Sequence, residues 1–113
     1  MKTTAILKNC PIKKAENISA LIEYEENQVV SMALSNAQQT QISLFSFANG
    51  EMVSEESYPG DTLYQLLDGE TKITMEGHVV TLQAGDVFAV PANVYHAVGG
   101  GNAFKMMQIT INQ

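Results

Sequence analysis

The segment SEESYPGDTLYQLLDGETKI, residues Ser54 to Ile73, and its later counterpart LQAGDVFAVPANVYHAV, Leu82 to Val98, decide the fold. In each segment, short apolar runs with strand-like alternation are bracketed by turns that contain glycine. Alternation sends every second side chain of a strand to the same face. We therefore predict that the polar residues of both segments point into one shared interior.

Turn signals recur at short intervals around these segments. They are Asn49-Gly50, Pro59-Gly60, Asp68-Gly69 and Glu76-Gly77-His78. Pro-Gly predicts a tight turn, because proline fixes φ and glycine supplies a positive φ, and Asp-Gly predicts a hairpin turn. No stretch between these turns shows the periodicity of an amphipathic helix over a useful length. The regular, short spacing of the turns therefore predicts an all-β sandwich or barrel.

The remaining parts of the chain are assigned less specific roles. Residues 1–16 are of mixed character and read as an N-terminal arm, and residues 17–34 read as two edge strands separated by a turn at 25–27. Residues 104–111, FKMMQITI, predict the closing strand, with Lys105 pointing outward between apolar neighbours. A chain of 113 residues is expected to form a single domain, 1–113.

Composition excludes several classes of partner. The formal net charge of −6 repels nucleic acid and anionic lipid surfaces, so we expect neither as a partner. No apolar run is long enough to span a membrane, and the N-terminus lacks the apolar run of a signal peptide. Cys10 is the only cysteine, which excludes an intramolecular disulfide and fits a reducing compartment. We expect a cytoplasmic protein.

The spacing of residues in the two deciding segments resembles that of the cupin superfamily. The first cupin motif runs glycine, five residues, His-x-His, a short gap, Glu, six residues, glycine. The matching positions here are Gly50, then EMVSE, then Glu56-Ser57-Tyr58, then Thr62, and finally Gly69. The resemblance covers about residues 40–111 and implies an antiparallel double-stranded β-helix, the jelly-roll barrel.

The second cupin motif is matched more closely. It runs glycine, five residues, proline, one residue, glycine, two residues, histidine, and here it reads Gly85, DVFAV, Pro91, Ala92, Asn93, Val94-Tyr95, His96. Asn93 replaces the glycine, which is a mild change because asparagine tolerates the left-handed region. In metal-bearing cupins, the histidines and glutamate of these motifs hold the ion.

The ligand positions depart from the family pattern in a way that bears on function. They hold Glu56, Tyr58, Thr62 and His96, of which only Glu56 and His96 are strong metal ligands. A phenolate at Tyr58 suits ferric iron better than a divalent ion. We therefore expect either no cofactor or a weakly bound divalent metal ion of unknown identity, with His96 and Glu56 as its ligands.

If the cupin register holds, polar side chains from both motifs converge in the barrel mouth. The expected ligand-binding residues are Tyr58, Thr62, Tyr64, His96 and Gln108. If Glu56 and His96 lie within hydrogen-bond reach, they form an acid–base pair. Tyr58 and Tyr64 would then stabilise an oxyanion. The candidate catalytic residues are then His96, Glu56 and Tyr58.

Other roles for the same residues stay open at this stage. His96 is also explained as a buried histidine whose ring nitrogens are satisfied by a tyrosine hydroxyl and a carboxylate. Glu56 is also explained as a solvated carboxylate beside Glu51 and Glu55. Tyr58 and Tyr64 are also explained as packing residues.

Two functions from different classes follow. The first is a binding module that holds a small polar molecule in the barrel mouth. The second is a small cupin enzyme of the isomerase, decarboxylase or dioxygenase type, acting through a weakly bound divalent metal or through acid–base chemistry. We favour binding, because imidazoles are missing at positions 56 and 58. The resemblance and the apolar terminal segments also predict a homodimer.

Overall fold

The computed structural model describes residues 6–113, which form eight strands and one short 3₁₀ helix. The 3₁₀ helix spans Ile18–Leu21 and precedes all of the strands. The strands are β1 Val29–Ala33, β2 Thr40–Phe47, β3 Met52–Glu56, β4 Asp61–Met75, β5 His78–Gln83, β6 Val87–Val90, β7 His96–Gly99 and β8 Phe104–Ile111. Within 6–113, no helix has the length and apolar character needed to cross a lipid bilayer.

The strands form one curled antiparallel sheet, which confirms the prediction of an all-β barrel. The order across the sheet is β1-β2-β8-β4-β7-β3, and β5 and β6 each pair with β4. The first half of β4 pairs with β8 and β6, and its second half pairs with β5 and β7. One strand thus contributes to both walls of the barrel.

The hairpin predicted at Asp68-Gly69 is wrong. Strand β4 continues through these two residues, and its register with β8 shifts between Leu66 and Asp68, as in a β-bulge. Gly69 lies two residues beyond Leu67, the residue skipped by the register shift, and has a φ of 82° where the pairing of β4 passes from β8 to β5. The error has a physical cause, because a hairpin turn and this junction within one strand both place glycine at a positive φ, so Asp-Gly suits either.

Two other local predictions are corrected. Gly60 does not have a positive φ, and the position requires glycine because a side chain there would collide with the backbone of Ile111. Of the two edge strands predicted in residues 17–34, only β1 forms, since Ile18–Leu21 is a 3₁₀ helix capped by the Asn17 side chain. The turns at Asn49-Gly50 and Glu76-Gly77 are confirmed.

The N-terminal arm runs beside the segment that follows β1. Leu7 forms an antiparallel bridge with Ser35, and the Lys8 amide donates to the Leu34 carbonyl at 2.9 Å. Residues 1–5 of the predicted arm lie outside the described residues.

Apolar side chains pack on both faces of the curled sheet. The larger cluster fills the barrel and contains Phe47, Tyr64, Leu66, Ile73, Leu82, Val90, Val98, Phe104 and Met106. A smaller cluster of Ile22, Leu34 and Leu44 lies under the segment that contains the 3₁₀ helix. The inner cluster is the one that shapes the functional cavity described below.

Lys105 lies on the outer face of β8, between the inward-facing Phe104 and Met106, as predicted, but the segment before β1 covers it. Its side chain is only 9% exposed, and its Nζ donates to the Ser19 carbonyl at 2.7 Å. The ammonium also lies 4.8 Å from the centre of the Tyr24 ring, while the Tyr24 hydroxyl donates to Asp68 at 2.6 Å. The covering segment brings an acceptor and an aromatic ring to the lysine, so burial of the charge is compensated.

The conformation and close packing of Gly69 lead to a stability prediction. An added Cβ at Gly69 would lie 2.5 Å from the Ala103 carbonyl oxygen, whereas nothing lies within 4 Å of one at Gly50, which has nearly the same φ of 81°. Gly50→Ala therefore adds backbone strain alone, which should lower the free energy of unfolding by about 1 kcal/mol. Gly69→Ala adds a collision and should lower the free energy of unfolding by about 3 kcal/mol. Urea denaturation measures both, and equal losses would contradict the predicted collision at Gly69.

Candidate functional site

A cavity of about 220 Å³ opens inside the barrel. Its lining combines an apolar wall with a cluster of polar side chains. The residues are Phe45, Phe47, Val53, Glu56, Tyr58, Tyr64, His96, Val98, Met106 and Gln108. This composition, mostly apolar with a few convergent polar groups, is typical of small-molecule sites.

His96 lies at the buried end of the polar cluster, with 3% of its side chain exposed. Its Nδ1 is 3.0 Å from the Val94 carbonyl, which can only accept, so Nδ1 carries a proton. The other nitrogen, Nε2, is 2.6 Å from the Tyr64 hydroxyl. A neutral imidazole has one donor and one acceptor nitrogen, so the Tyr64 hydroxyl donates to Nε2.

The pairing of strands fixes the positions of these two residues. His96 is the first residue of β7 and is paired with Met75 of β4 and Glu56 of β3. Tyr64 belongs to the inward-facing set of β4, which also contains Leu66, and is paired with Gln108 of β8. The sheet register thus brings residues far apart in the chain to one end of the cavity.

Tyr58 and Glu56 form a second hydrogen-bonded pair, nearer to solvent. The Tyr58 hydroxyl donates to a carboxylate oxygen of Glu56, which is itself exposed. The Tyr58 ring lies edge-on to the His96 ring at 5.9 Å, and the Tyr64 ring does the same at 5.6 Å. The imidazole is therefore held between two phenol rings.

Burial keeps both cavity tyrosines protonated. Partial burial, followed by the hydrogen bond to Glu56, raises the pKa of Tyr58 to about 12, although the Gln108 amide partly lowers it. Burial also raises the pKa of Tyr64 far above its usual value, with further contributions from Tyr58 and from the charge of Glu56. Each phenol thus retains its proton for the hydrogen bond that it donates.

The structure brings most of the predicted site residues together. Glu56, Tyr58, Tyr64, His96 and Gln108 all line the cavity. Thr62 does not line it, because its buried hydroxyl lies 3.0 Å from that of Thr110 in the packed interior.

The hydrogen bonds of the site differ from the expected acid–base pair. No hydrogen bond joins Glu56 to His96, although both residues are described and are cross-strand neighbours. Each is bonded instead to a tyrosine, Glu56 to Tyr58 and His96 to Tyr64. The imidazole and the carboxylate are therefore not poised to exchange a proton with one another.

The apolar wall of the cavity was not predicted from the sequence. This wall consists of Phe45, Phe47, Val53, Val98 and Met106. The alternation of β2 did put Phe45 and Phe47 on the same face. It gave no indication of which face turns inward, and that orientation would have identified the wall.

The donor set does not fit a divalent metal ion. Glu56 and His96 are the two strong ligand types in the cavity, and the His96 Nε2 that would face an ion accepts the Tyr64 hydroxyl proton. Within residues 6–113, no group of three or more His, Cys, Asp or Glu side chains is placed to hold an ion. We therefore derive no chemical step through a metal.

Comparison with known proteins supports the architecture. A family model described as Cupin domain matches residues 43–109. A cupin superfamily protein from Desulfitobacterium hafniense DCB-2 is 51% identical, with a TM-score of 0.93 over 96% of this chain and 100% of that chain. A Cupin 2 conserved barrel domain protein from Leptotrichia buccalis is 33% identical, with a TM-score of 0.82 over 86% of this chain and 47% of that chain.

A third structure shares the fold at lower identity. It is a conserved protein of unknown function from Streptococcus pyogenes, 24% identical, with a TM-score of 0.92 over 99% of this chain and 98% of that chain. No curated protein matches this chain.

The raised pKa of Tyr58 predicts a loss of stability in alkali. The contribution of Tyr58 to the free energy of unfolding is fully present below about pH 10, the pKa of a free phenol. It is lost as the pH rises toward about 12, because this phenol ionises in the unfolded chain before it does in the folded protein. We expect the free energy of unfolding to fall less steeply over this range in Tyr58→Phe than in the wild type. Urea denaturation at several pH values provides the comparison, and parallel curves would contradict the assignment.

Proposed function

The chain belongs to the cupin superfamily, and from that premise we propose that it is a small-molecule-binding protein whose ligand occupies the barrel cavity. The observation that carries the proposal is the composition of the lining, which combines two hydrogen-bonded polar pairs with a set of apolar side chains. A ligand can bury an apolar body against Phe45, Phe47 and Met106 while its polar group meets Tyr58 and His96.

The hydrogen bonds favour binding over metal-assisted chemistry. Tyr64 occupies the imidazole nitrogen that an ion would use, and Tyr58 occupies one side of the Glu56 carboxylate. Such locked pairs hold each side chain in one orientation, so a ligand would meet a preorganised surface and lose less entropy on binding. We assign Tyr58, Tyr64, His96 and Gln108 as the ligand-binding residues of this proposal.

A substitution at His96 tests the proposal. A set of small amphipathic compounds is screened by ligand-observed NMR, and compounds that compete for one site are titrated against wild type and His96→Gln. We expect His96→Gln to weaken binding at least about tenfold, equivalent to about 1.4 kcal/mol. Circular dichroism confirms that the variant is folded, and added chelator should leave wild-type affinity unchanged.

His78→Gln is the matched control, since His78 is an exposed histidine at the start of β5. It should bind the same compounds with wild-type affinity. If folded His96→Gln also binds them as the wild type does, the ligand is not held in this cavity and the proposal fails.

We further propose that the protein is a homodimer in which the outer face of β4, β6 and β8 is covered by a second copy. Leu63 is paired with Ala89 on one side and Ile109 on the other, while Val87 and Ile111 lie nearby in the same register. Leu63, Val87 and Ile111 are all exposed in the single chain. Contiguous apolar surface of this kind is typical of a contact between subunits.

Replacing Leu63 tests the dimer. We expect the wild type to run as a dimer at micromolar concentration in light scattering, and Leu63→Glu to run as a monomer, because a charge would be buried without a partner. Val79→Glu, on exposed β5, is the control and should remain a dimer. A monomeric wild type, or equal behaviour of the two variants, would count against this interface.

We also propose a cytoplasmic location. The support is that Cys10, the only cysteine of the sequence, is a free thiol and has no partner for an intramolecular disulfide.

A further inference from the structure

The hydrogen-bond donors at the polar end of the cavity are largely committed. The Tyr64 hydroxyl donates to His96 Nε2, His96 Nδ1 donates to the Val94 carbonyl, and the Tyr58 hydroxyl donates to Glu56. The remaining capacity of these side chains consists of lone pairs on the two phenol oxygens and on the Glu56 carboxylate. A ligand that is to satisfy them must bring donors of its own.

The charge of the cavity also favours a ligand that is a cation. Glu56 carries a negative charge that contributes to the raised pKa of both cavity tyrosines. Among the described residues, none that lines the cavity is a lysine, and the sequence contains no arginine. Lys105 belongs to β8, but its side chain lies outside the barrel interior, where it contacts Ser19 and Tyr24. A bound anion would therefore meet a carboxylate with no compensating cation.

The apolar wall sets the other requirement. Phe45, Phe47, Val53, Val98 and Met106 provide an aromatic and aliphatic surface that gains by excluding water from a nonpolar body. The cavity is small, at about 220 Å³, which limits the body to about the size of one ring or a short alkyl chain.

We propose that the cavity binds a small primary amine in its protonated form, with an apolar body against the phenylalanines and an ammonium group between Glu56 and the phenol oxygens. This inference rests on the proposed function and specifies its ligand class. An ammonium brings three donors and no acceptor, which complements the lone pairs left on the phenol oxygens and on the Glu56 carboxylate, while the Gln108 amide is engaged with Tyr58. Its charge also forms a charge-assisted hydrogen bond with the carboxylate.

Three probes of nearly equal shape test the inference: benzylamine, benzyl alcohol and benzoate. Each is titrated at neutral pH against uniformly ¹⁵N-labelled protein, and the amide shifts of residues around Tyr64, His96 and Met106 are followed. We expect benzylamine to bind about tenfold more tightly than benzyl alcohol, and benzoate to produce no saturable shift.

Two matched variants separate the local effect of Glu56 from the overall negative charge. Glu56→Gln should reduce the preference for benzylamine over benzyl alcohol to about one, while benzyl alcohol binds nearly unchanged. Glu55→Gln removes the same charge from the adjacent residue, which does not line the barrel cavity and lies with Glu76 and Tyr95 in a second cavity that shares only His96 with it. This control should keep the wild-type preference.

The outcomes distinguish failure of the inference from failure of the proposed function. Binding of benzyl alcohol or benzoate at least as tight as that of benzylamine would overturn the amine assignment and leave a small-molecule cavity. An equal loss of preference in Glu55→Gln and Glu56→Gln would overturn it as well, because the effect would then be one of net charge. If none of the three probes shifts the cavity residues, both the amine assignment and the cavity as a small-molecule site are contradicted.

Discussion

One strand has to serve both walls of the barrel, and this requirement organises the rest of the molecule. Strand β4 pairs with β8 and β6 along its first half and with β5 and β7 along its second. A flat strand could not turn from one wall to the other, so the chain introduces a bulge after Leu66 and, two residues beyond the bulge, a positive φ at Gly69. Because the wall on either side of the bulge keeps its own register, Tyr64 and His96 meet inside the barrel.

The chemistry of the cavity depends on how its polar groups are paired. Glu56 and His96 face each other across paired strands, yet each hydrogen-bonds to a tyrosine. The Tyr64 phenol therefore occupies the accepting nitrogen of the imidazole, and the Tyr58 phenol occupies one oxygen of the Glu56 carboxylate. The result is a surface that orients a bound molecule, with no free imidazole nitrogen among these contacts for an ion or for proton transfer.

Sequence periodicity was informative where strand parity alone decides the outcome. It put Thr62 and Tyr64 on one face of a strand, and the resemblance to the cupin motifs implied that Glu56, Tyr58 and His96 converge with them. Glu56, Tyr58, Tyr64 and His96 do line the cavity, together with Gln108. Periodicity could not give the hydrogen-bond partners, because these depend on side-chain rotamers and on distances between strands. Thr62 shares the inward parity of Tyr64 but lies where the interior is filled, and parity does not report how far along a barrel the open space extends.

The tyrosines of the cavity give the protein an intrinsic optical reporter. The sequence contains four tyrosines and no tryptophan, so tyrosine dominates its ultraviolet emission, and two of the four line the cavity. The Tyr58 phenol is bonded to a carboxylate and the Tyr64 phenol to an imidazole, both of which accept the phenolic proton readily in the excited state. Any molecule that enters and rearranges these bonds will alter the fluorescence quantum yield without an attached dye.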